Sequence, residues 1–326
     1  MPSSSGNTDD PAQQSRAHEH LALAVTNLVG DSAMDMKWRL LRTGHRPGAW
    51  NMAVDEAVMV QVAAGASPPT FRLFEWDPPS LSLGRVQSFQ RDVDAEACRR
   101  LGVDVVRRPT GGRAVLHDVE VTYSLIMSQN DPVLPAGLGE SFSLATQGII
   151  KGLRLLGVEA EIRGRDEGDG SGHVAGASAE AGGAAGPVRT GACFDSPSWY
   201  EVVSGGRKLV GSAQARLMGV FLQHGSILIE LDAEKLCSLL RFDSEDERAA
   251  AVRHLRSHAT SISEILGRRV SFREVEDAVI AGMRSHISPI ELVEGELSAE
   301  ETALANTLIS RKYGSPSWTV HRKAEA

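Results

Sequence analysis

Only three cysteines occur in this 326-residue chain, and Cys98, Cys193 and Cys237 stand far apart. An odd, scattered set offers no disulfide framework and points to a reducing compartment, the cytoplasm. No Cys-x-x-Cys occurs, and no His-x-x-x-His pairing is expected to hold a metal. Long apolar runs are missing too. The longest near the N-terminus, Leu21 to Val29, is too short to span a bilayer and lacks a basic leader, so no membrane is expected. Net positive charge is also absent: the chain carries −8, and nothing in its bulk composition points to nucleic acid. An acidic protein partner would need a local basic patch, which the sequence does not locate.

What remains is an ordinary globular composition, 42% hydrophobic and 23% charged, long enough for an ample core. Residues 1–35, rich in Ser, Asp, Gln and Ala, are expected to form a disordered tail, with Met34 or Met36 as an alternative start. Asn51 is placed to cap a helix from Met52 to Ala64 that ends at Gly65. Thr70 to Trp76 and Ser80 to Gly84 read as strands, Asp94 to Leu101 as a helix, and Thr122 to Met127 as a further strand. Ser143 to Leu156 reads as a helix. Nine of the 28 residues in segment 164–191 are glycine, a composition that cannot offset its ordering entropy, so a disordered surface insertion is expected. Beyond it, Ser198–Val203 and Arg207–Gly211 are expected to pair as a hairpin, and Val220–Leu231 to form a long strand. The rest reads as helical, with capping-box spacing at Ser271/Glu274 and Ser298/Glu301 and a last helix closed at Tyr313-Gly314. Hairpin-linked strands interleaved with helices indicate an α+β (mixed α/β) domain.

The segment Arg107 to Asp118, RRPTGGRAVLHD, is the most informative. Pro109 to Gly112 read as the tight connection between two Val-rich strands. Gly111 and Gly112 leave the backbone bare for close approach of a ligand, and Arg107, Arg108 and Arg113 place positive charge beside it. These groups suit a ligand with an extended apolar part and an anionic or polar end. A plain hairpin turn with solvated arginines is the competing reading of the residues alone.

Cys98 and Cys237 sit in helix-like apolar surroundings and read as small buried hydrophobes. Cys193 differs: it lies in ACFDSPSWYE among loop formers, fifteen positions before Lys208. Lys208 opens RKLVGSAQ, where Gly211, Ser212 and Ala213 let a strand pass close to a ligand. His117 and His224 read as satisfied structural histidines, with Asp118 expected to hold His117 in place.

The motifs NMAVDEA, SLSLGRVQ, RRPTGGRAVLHD, CFDSPSWYE, RKLVGSAQ and LQHGSI, in this order, resemble the lipoate–biotin protein ligase and acyltransferase superfamily. The resemblance covers roughly residues 37 to 320 apart from the insertion. Within that superfamily the chain is most similar to the Cys-dependent octanoyltransferases that start lipoate assembly, because Arg113 replaces a third glycine and the Cys193 motif is present. The likeness implies a single catalytic domain over 36–320, a curved mixed β-sheet flanked by helices, and a short tail, 321–326. It implies Cys193 as nucleophile and Lys208 as its catalytic partner. Arg107, Arg108, Gly111, Gly112, Arg113, His117, Gly211, Ser212 and Ala213 would line the substrate, with His117 supporting the loop.

The implied reaction is octanoyl transfer from octanoyl-acyl carrier protein, through a cysteine thioester, to a lysine of the glycine cleavage H protein or another lipoyl domain. No ATP or metal cofactor is expected, and a monomer suffices. Two alternatives use the same scaffold: an octanoyl amidotransferase between lipoyl domains, and an ATP-dependent lipoate ligase. Against the ligase stand Arg113, the Cys193 motif and the short helical tail past Gly282. A non-catalytic lipoate-binding relative would lack the cysteine or the lysine, and both are here.

Overall fold

The computed structural model describes residues 36–163 and 201–323. The tail 1–35, the insertion 164–191 and Cys193 lie outside the described residues. The strands are β1 (Lys37–Arg46), β2 (Thr70–Trp76), β3 (Ser80–Leu83), β4 (Asp104–Arg107), β5 (Val115–His117), β6 (Glu120–Ser128), β7 (Glu161–Ile162), β8 (Val202–Ser204), β9 (Arg207–Leu217), β10 (Val220–Leu228) and β11 (Glu291–Gly295). Eight of them form one mixed sheet in the order β11-β1-β2-β6-β10-β9-β8-β7, and β4-β3-β5 form a second, smaller sheet. In the large sheet β1 runs parallel to both its neighbours, whereas β6, β10 and β9 pair antiparallel.

The helices that matter below are α1 (Gly48–Ala63), α2 (Ala95–Arg100), α3 (Leu138–Leu155), α4 (Glu245–His258), α5 (Phe272–Ile287) and α6 (Ala299–Leu308). One face of the large sheet packs Phe71, Tyr123 and Phe221 against α3 and α5. Its other face packs Leu41, Phe74 and Leu222 against α1 and α6. Burial on both faces explains why TFRLFEW shows no clean polar alternation. Each such fully buried apolar side chain contributes about 1.5–3 kcal/mol. The small sheet has its own core with α2 and α4, and Cys98 and Cys237 are part of it.

Most expected elements are present, with shifted ends. Helix α1 begins at Gly48, behind Pro47 with its φ of −59°, so Asn51 is inside the helix and not its cap. The Asn51 side chain instead donates to the carbonyls of Arg46 and Glu75, at 3.1 and 2.9 Å. Helix α3 starts at Leu138 and not at Ser143. In its polar first turns Ser141 and Ser143 return their hydroxyls to the carbonyls of Leu138 and Gly139, so these buried groups are satisfied within the helix. Both capping boxes form. The tail past Gly282 is not all helical: Glu291–Gly295 adds a parallel edge strand to β1.

The glycine loop is not a hairpin turn. β4 and β5 do not pair with each other; β3 lies between them, parallel to β4 and antiparallel to β5. Thr110 to Gly112 therefore cross the end of β3 and rest on Gly84. A Cβ on Gly84 would stand 1.9 Å from the Gly112 carbonyl oxygen. Gly84→Ala is thus expected to push the loop away and to cost about 1–3 kcal/mol in thermal unfolding. A wild-type melting curve would contradict the contact.

Candidate active site

Two buried polar chains hold the glycine loop against the large sheet. The first starts at Arg72 of β2, wholly buried beneath α1. Its guanidinium donates to Asp55 Oδ1 at 2.7 Å, to the Asn51 side-chain oxygen at 2.6 Å, to the Asn51 carbonyl at 3.0 Å and to Thr43 Oγ1 at 3.0 Å. Ser124 of β6 donates to the same Asp55 oxygen at 3.0 Å. The second Asp55 oxygen faces His224 Nδ1 of β10 at 3.6 Å, and His224 Nε2 meets Thr110 Oγ1 at 2.6 Å. Thr110 precedes the glycine pair, so the chain Arg72–Asp55–His224–Thr110 runs from the core of the fold to the loop.

Burial pushes the Asp55 carboxyl up, but the Arg72 guanidinium and His224 more than offset it, and the group lies below the usual carboxylate value. Burial lowers the His224 imidazole despite Asp55, so the ring is neutral near pH 7. A neutral ring with its proton on Nδ1, toward Asp55, accepts the Thr110 hydroxyl at Nε2. Thr110→Val removes that donor at nearly constant volume and strands a buried acceptor. We expect a loss of about 1–3 kcal/mol in urea unfolding. Thr110→Ser should restore most of it, and equal losses would show that only the methyl matters.

The second chain runs through His117 of β5. Its Nδ1 meets Glu120 Oε1 at 2.6 Å, its Nε2 meets Ser82 Oγ of β3 at 2.8 Å, and its ring stacks on Trp76 at 4.0 Å. Ser226 and Thr122 also donate to Glu120 Oε1. His117 therefore supports the loop, but Glu120 holds it, not Asp118. Asp118 pairs with Lys235 at 2.5 Å. A cavity of about 300 Å³ lies beside Glu120, and Asp118, Glu230 and Asp232 give it an acidic lining that disfavours an anionic ligand.

The arginines of the motif divide. Arg107 is wholly buried and donates to the carbonyls of Gly84, Arg85, Gln87, Trp318 and Thr319. Arg108 donates to Ser82 and to the carbonyls of Gly111 and Arg113. Both guanidinium groups shape the loop from behind. Arg113 is partly exposed. Gly111 and Gly112 are exposed at the loop tip, Gly112 with a φ of +95° that excludes most side chains.

Strand register brings RKLVGSAQ to this loop. Ala213 pairs with His224 and Gly211 with Ser226, so two small residues lie on the sheet face that carries the His224 relay. Ser212 alternates to the opposite face, where its hydroxyl meets Tyr123 OH at 2.7 Å. Lys208 stands three residues, roughly 10 Å of strand, before Gly211. It is buried, and its Nζ donates to the buried Glu201. The other Glu201 oxygen takes no hydrogen bond from the described residues. The remaining cysteines are closed to chemistry: both are buried, and burial with nearby Asp94 pushes the Cys98 thiol up to about 11.

Residues 47–284 match the model of the lipoyl protein ligase A/B catalytic domain. The chain belongs to this family. The octanoyltransferase LipM of Kyrpidia tusciae is 46% identical over 285 residues, which span 87% of this chain and 99% of that protein. LipM of Bacillus subtilis is 38% identical over 285 residues, 87% of this chain and 98% of its own. A bi-partite lipoate protein ligase from Thermoplasma acidophilum shares the fold with a TM-score of 0.70 at 23% identity, covering 89% of this chain and 99% of that one. A lipoate-protein ligase A bound with ATP gives 0.66 at 25% identity, with 87% and 99% covered.

The lipoyl ligase-family domain of this chain thus joins the glycine loop, His117, His224, Gly211 and Ala213 in one place. Asp55, Arg72, Thr110, Ser82 and Glu120 complete that arrangement and escape the sequence reading. For Asp55 in NMAVDEA and Arg72 in TFRLFEW the one signal was a charged residue on an otherwise apolar stretch; Thr110, Ser82 and Glu120 gave none. No helix among the described residues is long and apolar enough to cross a membrane. One His-x-x-x-His spacing does exist, on α4, where the rings of His254 and His258 stack at 3.9 Å. Among the described residues no group of three or more His, Cys, Asp or Glu could hold a metal ion.

Proposed function

We propose that this chain is a cysteine-dependent octanoyltransferase of lipoate assembly, with octanoyl-acyl carrier protein as donor and a lipoyl domain, such as the glycine cleavage H protein, as acceptor. The observation that carries the reading is the identity of 38 to 46% over nearly whole relatives named octanoyltransferase, against 25% or less to the ligase structures described above. Cys193 attacks the thioester carbonyl, and the thiol of the carrier leaves. Exchange of one thioester for another is nearly isoenergetic, so this step needs no ATP. The lysine amine of the acceptor then attacks the acyl-cysteine, and an amide forms as the thiolate is released.

Lys208 serves this chemistry as a cation. A cation beside a thiol lowers its pKa from the free value of about 8.5. The amides of Gly111 and Gly112 are candidate donors to the oxyanion, a contribution of about 10²–10³ in rate. Gly211 and Ala213 leave room for the chain, each buried methylene adding about 0.8 kcal/mol. Arg113 and His117 complete the lining, with Arg107, Arg108 and Ser212 acting from behind it. No metal or nucleotide enters the reaction, and a cytoplasmic site fits a thiolate nucleophile.

The test is transfer between purified proteins. Octanoyl-acyl carrier protein, this chain and apo H protein, without ATP, should yield H protein heavier by one octanoyl group. Transfer that starts only when free octanoate and ATP are added would make the chain a ligase. Transfer only from an octanoylated lipoyl domain would make it an amidotransferase.

A further inference from the structure

The rim beside the glycine loop is cationic on a chain whose net charge is −8. Arg85 and Val86 follow Gly84 in the turn that holds this loop, and the Arg85 amide donates to the Thr110 carbonyl at 2.8 Å. Arg85 is exposed, and Val86 is 74% exposed, unusually open for an apolar side chain. The chain returns to this place at its C-terminal end. Arg322 donates to the Val86 carbonyl at 3.1 Å, and the exposed Lys323 follows it. Beneath them Arg107 ties the two segments together through the carbonyls of Gly84, Gln87, Trp318 and Thr319.

Arg85, Arg107, Arg322 and Lys323 have no carboxylate partner among the described residues. Carbonyls accept from Arg107 and Arg322, but they cancel no charge. Burial is the main cause that brings the Arg107 guanidinium down to about 10, and the neighbouring Arg322 and Arg108 add to it. Charges within one Debye length, about 8–10 Å at physiological salt, act on a partner as one patch. The exposed Val86 sits among these cations, as an apolar contact does inside a polar rim.

We propose that Arg85, Val86, Arg322 and Lys323 form the docking surface for an acidic carrier protein that presents an acyl thioester to the glycine loop. The proposal rests on the octanoyl-transfer reading and adds to it the place where the donor lands. Charge opposite to that of the chain as a whole selects the orientation: an acidic carrier is repelled by the bulk surface and attracted at one edge, beside the loop. That places the thioester arm near the site before any specific contact forms.

Binding and transfer are measured separately on the full chain. Octanoyl-acyl carrier protein and, separately, apo H protein are titrated onto wild type, Arg85→Glu/Arg322→Glu and Val86→Asp by calorimetry at low and physiological salt. Acylation by octanoyl-pantetheine, which carries the same thioester without a protein, is followed in parallel. The double charge reversal should weaken carrier binding by roughly 10–100-fold, the loss should shrink as salt rises, and acylation by octanoyl-pantetheine should stay within about twofold. Unchanged carrier binding, or an equal loss with both donors, overturns the docking surface. So does weakened binding of the lipoyl acceptor with carrier binding intact, which assigns the rim to the acceptor. Carrier that binds at the rim without acylating the chain leaves the surface standing and removes the octanoyl-transfer reading.

Discussion

Cys193→Ala is expected to reduce octanoyl transfer by roughly 10³-fold or more, the usual cost of removing a nucleophile whose partners act as a unit. Cys98→Ala and Cys237→Ala should keep most activity. Both thiols belong to the core of the small sheet, and a Cys98 thiol at about 11 carries almost no thiolate at neutral pH. Steady-state transfer to apo H protein by the three variants separates them. An inactive Cys237→Ala with an active Cys193→Ala would refute the assignment. Lys208→Ala is a weaker probe, because it also leaves the buried Glu201 carboxylate without its cation.

Asp55→Ala is expected to be the most destabilising single change, at about 3–5 kcal/mol, because it strands the guanidinium of Arg72 in the core without its carboxylate. His224 loses the group that fixes its tautomer in the same step, so transfer should fall even where the variant remains folded. Asp55→Asn keeps the shape and one acceptor and should lose less. Urea unfolding at pH 7 checks the order; equal, small losses would mean that the pair is solvated. The pH dependence has a definite sign. Both Asp55 and His224 lie below their ordinary values when folded, so the unfolded chain binds more protons in acid and stability is lost as the pH is lowered. The His224 part begins below about pH 6.5 and the Asp55 part below about pH 4. His224→Gln should remove the first of these and leave the second.

Local rules carried the sequence reading far. The proline pair Pro78-Pro79 helped to give β2 its observed limits, Thr70 to Trp76, and the Ser-x-x-Glu spacing located both capping boxes. What failed was non-local. Nothing in residues 103–117 tells that β3, twenty residues upstream in the chain, inserts between the two strands that flank the glycine loop. Glu291–Gly295 has three acidic or glycine positions in five and becomes a strand only because β1 offers it an edge. The site shows the same divide. The loop and the histidines were legible as motifs. The roles of Arg107 and Arg108 were not, because an arginine that serves backbone carbonyls looks in sequence like one that serves a ligand. Thr110 and Glu120 were invisible for the complementary reason: their partners, His224 and His117, are supplied by strand pairing and by a tight turn.

The most direct measurement is intact-protein mass spectrometry of the chain after incubation with octanoyl-acyl carrier protein, with no ATP present and Cys193→Ser alongside. The account predicts one octanoyl adduct on the wild-type chain, labile to hydroxylamine, mapped to the Cys193 peptide and missing from the variant. An adduct that survives hydroxylamine, or the same adduct on Cys193→Ser, would contradict a thioester at Cys193.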